Sequence, residues 1–287
     1  MRTQTEFHPT IDRRSDVRPS WRELEVDGRA ASYGVAGRGR PVVFLHGFGL
    51  THRTYAGAIE RLAATWVRVY APALPGFGGT DPLSAPQSGF GGYAQWVGRF
   101  LDTVGVDEPV TVVGHSFGGG VALTSAHDLV DRVSDLVLVN SVGGGAWAPG
   151  GTVREIRHRP LWRWGASAAV DAVLTGTPVS AMAAIAGDAL RNAARGPAAL
   201  WRIGELARTA DLRTEAAGVA ERGLPTTLLW SRGDTFIPHA SFESLRSALR
   251  DPHVHRVAGC HGWLIGNPDA FGRAVTEILG SAPARAE

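Results

Sequence analysis

The chain has 287 residues, of which 29 are basic and 27 acidic, for a formal net charge of +2; 44% of the residues are hydrophobic and 20% charged. Every basic residue is arginine, which excludes a lysine-dependent phosphate loop, a pyridoxal Schiff base and a Ser–Lys dyad. The single cysteine, Cys260, excludes an internal disulfide and a multi-cysteine metal or iron–sulfur site.

The composition is that of a globular domain, not a disordered chain. The arginines are scattered among acids, so no nucleic-acid patch is expected. The uncharged stretch of 16 residues between Asp171 and Asp188 is broken by Gly176 and Pro178, too short for a bilayer. Residues 1–20 read as a polar extension: Arg13-Arg14 is followed by Asp16, Arg18 and Pro19 where a twin-arginine signal needs an apolar stretch. The expectation is a cytoplasmic protein without stable membrane insertion, monomeric or a homodimer.

In chain order, residues 24–36 predict two short strands around a turn at Asp27-Gly28. Short apolar runs at 41–45, 67–71, 110–113, 135–140, 226–230 and 254–258 predict further strands, most of them suited to burial on both faces. Helical patterns fall at 53–64, 92–104, from 117 to about 129, and at 268–280. Strands alternating with helices imply an α/β domain with a mostly parallel sheet covered on both sides. The rhythm stops between about Gly143 and Gly218, a stretch with helical patches and no strand run. The expected organisation is a core of 21–143 and 219–287 with a helical cap at 144–218.

Gly114-His115-Ser116-Phe117-Gly118 follows a buried strand and opens a helix. As a bare pattern it is weak; the strand–turn–helix setting is what a nucleophile elbow requires. Small neighbours at Gly114, Gly118 and Gly119 clear space around a strained serine, and the helix N-terminus favours developing negative charge. The plain alternative is a strand–turn–helix with a surface serine. A serine needs a base and usually a carboxylate. In a parallel sheet the site forms at the carboxyl ends of the strands, and that rule selects Asp234, just past the run ending at Trp230, and His261, just past the run ending near Ala258. Asp251, His253 and His255 precede or begin their strand, Asp269 starts a helix, and His239 is the best rival base. The backbone N–H groups of Phe117 and of Phe48, in His46-Gly47-Phe48-Gly49, are the candidate oxyanion donors. His46 and His115 suit loop-holding hydrogen bonds, and His52 has no assigned role.

These motifs, with Pro75-Gly76-Phe77-Gly78-Gly79-Thr80-Asp81 and Gly233-Asp234 before Pro238, make the chain from about Leu24 to Leu279 resemble the α/β-hydrolase superfamily, in particular its cap-bearing, esterase and C–C hydrolase-like members. The resemblance implies a cofactor-free and metal-free Ser116–His261–Asp234 machine acting through an acyl-enzyme. Relatives that act as epoxide hydrolases or haloalkane dehalogenases use an aspartate nucleophile where this chain has Ser116, and the cap tyrosines of the former have no counterpart, since the four tyrosines are Tyr33, Tyr55, Tyr70 and Tyr93. Phe48 and His115 depart from the oxyanion loop and the pre-nucleophile asparagine of meta-cleavage hydrolases.

The expected substrate is a small to medium apolar carboxylic ester. The alternatives are C–C cleavage of ring-fission dienoates, a ligand-binding relative without turnover, and a haloperoxidase or perhydrolase side activity. Trp147, Trp162 and Trp164 of the cap and Trp263 beside His261 are candidate pocket walls; for the cap tryptophans, packing of the cap's own core is the plainer reading. Arg154, Arg157, Arg159 and Arg163 read as a solvated face.

Overall fold

A computed structural model of the chain describes residues 17–145, 179–250 and 252–280. Eight strands form one sheet: β1 (Ser20–Val26), β2 (Arg29–Gly37), β3 (Arg40–Leu45), β4 (Val67–Pro72), β5 (Val110–His115), β6 (Val133–Val139), β7 (Thr226–Ser231) and β8 (His253–Val257). Their spatial order is β1-β2-β4-β3-β5-β6-β7-β8. β1 and β2 are a hairpin, β2 also runs antiparallel to β4, and the pairs from β4 to β8 are parallel. Asp27 and Gly28 both have positive φ, 52° and 71°, as a two-residue turn matched to strand twist requires.

Burial on both faces of the sheet explains the uninterrupted apolar runs. Val43 and Leu45 of β3, Val110 and Val112 of β5, and Leu136 and Leu138 of β6 point into one core cluster. Their neighbours Val42, Phe44, Val113, Val137 and Val139 point into the other. The first face is covered by α2 (Phe90–Thr103), α3 (Phe117–Asp128), α6 (Arg213–Glu221) and α7 (His239–Ala248). The second is covered by α1 (Ala56–Ala63) and, beyond the short α8 (Trp263–Gly266), α9 (Pro268–Gly280). Truncating one of these fully buried side chains, such as Leu138→Ala, costs about 2–5 kcal/mol. β8 has one neighbour, and its residues are exposed or half-buried.

The described part of the expected insertion is α4 (Val179–Arg195), α5 (Pro197–Arg208) and the start of α6. The chain leaves the sheet and returns through one neck, where Gly143 and Gly144 bridge to Asp211 and Leu212 N–H donates to the Gly143 carbonyl at 2.9 Å. α6 straddles residue 218 and packs against α3 and α7.

Three histidines are fully buried beneath the carboxyl edge of the sheet: His46, His52 and His115. Burial pushes His46 down to about 4 and both His52 and His115 down to about 3. All three are therefore neutral near pH 7. In the unfolded chain each titrates near the ordinary value of 6.5.

The unfolded chain thus binds more protons below that value. The stability these groups carry is intact above pH 6.5 and is lost as pH falls toward 4, at up to about 1.4 kcal/mol per pH unit for each histidine. Urea unfolding between pH 7.5 and 5 should show the midpoint falling steadily. His52→Gln should flatten that fall by about a third, one histidine of three; an equally steep fall in the variant would contradict the assignment.

Candidate active site

β5 runs directly into α3, and the residue at the junction is Ser116, with φ 55° and ψ −118°. A non-glycine residue held there stores about 1–3 kcal/mol of strain, so the surroundings must fix it. Its N–H donates to the Val139 carbonyl of β6 at 3.0 Å, and its carbonyl accepts from Gly119, Gly120 and Val142. A side chain on Gly114 would meet the Gly118 carbonyl at 2.3 Å. One on Gly118 would meet the Leu45 and His46 carbonyls at 2.3 and 2.5 Å. Gly118 therefore lets the start of α3 pack flush against the loop after β3.

His261 follows β8, and its Nε2 lies 2.9 Å from Ser116 Oγ. Its Nδ1 lies 2.9 Å from Asp234 Oδ2. An ionised carboxylate only accepts, so Nδ1–H donates to Asp234 and Nε2 accepts the serine proton. Asp234 follows β7, and its side chain is fully shielded. Burial alone would raise its carboxyl. The electrostatic attraction and hydrogen bond of His261, the Ile237 N–H and the Asn140 amide outweigh that and hold it below the ordinary value. Its second oxygen accepts from the N–H groups of Phe236 and Ile237 at 2.8 and 2.9 Å. Phe236 stacks on the His261 ring, centroids 4.5 Å apart.

The three groups expected from the sequence thus meet at one edge. His239, the rival base, is exposed and faces Glu243. The expected donors Phe48 and Phe117 flank the serine. Phe117 opens α3, where a backbone N–H has no acceptor within the helix. Phe48 lies between Gly47, whose added Cβ would stand 3.3 Å from Ser116 Cβ, and Gly49. The Phe48 ring is edge-on to Phe77, which is edge-on to Phe117.

Trp263 is a correction to the expected pocket wall. It is 1% exposed, packs on Phe271 in the core, and donates its indole N–H to Asn140 Oδ1 at 3.0 Å. The turn after His261 starts α8, which directs the ring under the sheet edge. Trp147, Trp162, Trp164 and the arginines at 154, 157, 159 and 163 lie outside the described residues.

Two further residues, Asn140 and Tyr55, matter here, and local pattern did not mark them. Asn140, with φ 44°, donates its amide to Ser231 Oγ at 2.8 Å and Asp234 Oδ2 at 2.5 Å. It stands at the end of β6, where a site residue belongs, but is no acid. Tyr55 accepts from Gly47 N–H at 3.1 Å and donates to His115 Nδ1 at 2.8 Å; His115 Nε2–H donates to the His261 carbonyl at 3.0 Å. One buried chain of hydrogen bonds therefore ties the Phe48 loop to the His261 backbone. His46 Nδ1–H donates to the Gly47 carbonyl while Nε2 accepts from Leu74 N–H, the loop-holding part expected of it.

A groove of about 1210 Å³ opens between Arg40, Thr111, Asp135, Thr226 and His253. These are residues at the amino ends of their strands, so it lies a strand's length from Ser116 and is not where this chemistry sits. A smaller cavity of about 250 Å³ lies at the cap seam between Gly79, Asp81, Asn192 and Arg195. Among the described residues no cluster of histidine, cysteine and acidic side chains could hold a metal ion, and no helix is long and apolar enough to cross a membrane.

The chain is 30% identical over 262 residues to the pimeloyl-[acyl-carrier protein] methyl ester esterase of Aromatoleum aromaticum, across 83% of this chain and 97% of that one. It is 35% identical over 128 residues to the 2-hydroxymuconate semialdehyde hydrolase of Pseudomonas putida, covering 42% and 43% of the two. A third relative, the dihydrolipoyllysine-residue acetyltransferase component of the acetoin cleaving system of Cupriavidus necator, is 37% identical over 131 residues; the match spans 45% of this chain and 34% of the relative. The chain thus spans less than half the length of each of the last two relatives. Among solved structures, the serine hydrolase CarC involved in carbazole degradation superposes with a TM-score of 0.73 at 21% identity, covering 91% of this chain and 99% of that one. The profile of the alpha/beta hydrolase fold matches residues 40–268. With that match over most of its length, and with its strand order and edge geometry, the chain belongs to the alpha/beta hydrolase fold family.

Proposed function

We propose that the protein is a cofactor-free serine hydrolase that cleaves small to medium apolar carboxylic esters through an acyl-enzyme. The observation that carries this reading is the unbroken line from Ser116 Oγ to His261 Nε2 and from His261 Nδ1 to Asp234 Oδ2, each step 2.9 Å. Ser116 attacks the ester carbonyl as His261 takes its proton. Asp234 holds the imidazole in the accepting tautomer and stabilises its charged form. The N–H groups of Phe48 and Phe117 receive the oxyanion. His261 then returns the proton to the leaving alcohol. Water, activated by the same base, releases the acid and restores Ser116.

The half-buried rings beside the serine support an apolar acyl group: Phe236 lies on His261, and Phe48 stands on the loop next to Ser116. Similarity to the pimeloyl ester esterase along nearly its full length favours ester cleavage. The partial likeness to a semialdehyde hydrolase supports C–C cleavage of a dienoate as the second reading, since the same base and oxyanion donors serve that chemistry.

Ser116→Ala should lower turnover of p-nitrophenyl esters by about 10⁴-fold or more and abolish labelling by a fluorophosphonate; near-wild-type turnover would end the serine reading. Asp234→Asn should keep the fold and lower kcat about 10³-fold or more, because the imidazole loses the partner that fixes its tautomer. Wild-type enzyme should leave the colour of a ring-fission dienoate unchanged while it hydrolyses esters. Rapid bleaching, lost in Ser116→Ala, would move the assignment to the second reading.

A further inference from the structure

Helix α4 docks on the core in an unusual way. Across its described side chains, Met182–Arg195, the only two that are buried are polar: Asp188, 5% exposed, and Asn192, 2% exposed. Leu190 on the same helix is 72% exposed. Helices ordinarily bury apolar residues, so a buried polar pair is the informative feature. Spaced by four, the two share one face.

That face meets the segment that carries Phe48. Asn192 Nδ2 donates to the Gly49 carbonyl at 3.0 Å, and its Oδ1 accepts from Gly78 N–H at 3.2 Å. Asp188 Oδ2 accepts from the Thr51 hydroxyl at 2.6 Å and from the Thr54 hydroxyl, while Oδ1 accepts from Arg191 at 2.6 Å. Burial would raise the Asp188 carboxyl, but these hydroxyl and guanidinium donors outweigh it and keep the group ionised. On the other side of Phe48, Gly47 N–H is held by Tyr55. The backbone on either side of Phe48 is therefore held by different parts of the molecule: the core holds the Gly47 N–H and, through His46, the Gly47 carbonyl, and the cap holds the Gly49 carbonyl.

We propose that Asp188 and Asn192 are positioning residues for the oxyanion site: docking of α4 sets the Gly49 peptide and, through it, the aim of the Phe48 N–H, so that the cap must be seated for the transition state to be held. This rests on the serine hydrolase reading above. An apolar contact would tolerate sliding by a fraction of an ångström, whereas two hydrogen bonds from one amide admit little. The requirement is geometric: an oxyanion donor acts only at about 2.7–3.1 Å from the developing charge, and loss of one donor costs about 10²–10³ in kcat.

The test compares Asn192→Ala, Thr51→Val and Thr51→Ser with wild type. The readouts are kcat and KM on a p-nitrophenyl ester, inhibition by a trifluoromethyl ketone that forms an oxyanionic adduct on serine, and the thermal unfolding midpoint. Asn192→Ala should lower kcat about tenfold or more with KM within about threefold, and weaken the ketone in proportion to kcat/KM. Thr51→Val should shift both quantities the same way, and Thr51→Ser, which keeps the hydroxyl, should restore them. If Asn192→Ala does not fold, the Thr51 pair decides alone. A lowered melting midpoint with kcat and ketone affinity within about twofold of wild type would make the contact a strut and overturn the proposal, as would a rise in KM at constant kcat. Wild-type enzyme that a fluorophosphonate does not label at Ser116 would remove the serine reading itself, and this proposal with it.

Discussion

One backbone constraint organises the molecule: β5 must turn into α3 at a single non-glycine residue, Ser116, with φ 55°. That turn is tolerated because the neighbouring strand and the first turn of the helix hold both of its peptide groups. It also forces the glycines around it. Gly118 has to lie bare against the carbonyls of Leu45 and His46, and this close approach brings the loop after β3 over the serine. The relation between Ser116 and the loop that carries Phe48 is thus a packing consequence of the turn. The helix that starts there also brings the positive end of its dipole, with N–H groups that have no acceptor within the helix, up to Ser116.

Around that turn the polar groups at the sheet edge are paired in series. Asp234 fixes His261, Asn140 fixes Asp234, and Trp263 fixes Asn140. A second series runs from Gly47 through Tyr55 and His115 to the backbone of His261. Both end on the same histidine, one at its ring and one at its carbonyl. Such networks are costly when a member is missing and rigid when complete. The neutral state of His115 belongs to this arrangement, because a protonated ring could no longer accept from Tyr55.

The strands and the three meeting residues were legible in the sequence for local reasons. Runs such as Pro41–Leu45 have no polar face to hide, and Ser116, Asp234 and His261 each stand three or four residues beyond such a run. Asn140, Tyr55, Asp188 and Asn192 were not legible, because their value lies in contacts far along the chain with no period to betray them; Asn192 reaches Gly49 across 143 positions. Trp263 misled for a related reason: nearness to His261 in sequence suggested a wall, while the helical turn between them sends the ring into the core.

The neck at Gly143, Gly144 and Asp211 carries a last consequence. The entropic cost of bringing the two ends of the excursion together is met there, by contacts that belong to the sheet side. The length and sequence of what lies between are then decoupled from the folding of the sheet. Exchanging its outer part for one of another size would leave Ser116, His261 and Asp234 assembled so long as Asp188 and Asn192 keep their grip on the loop around Phe48, so that outer part is where the excursion is free to vary.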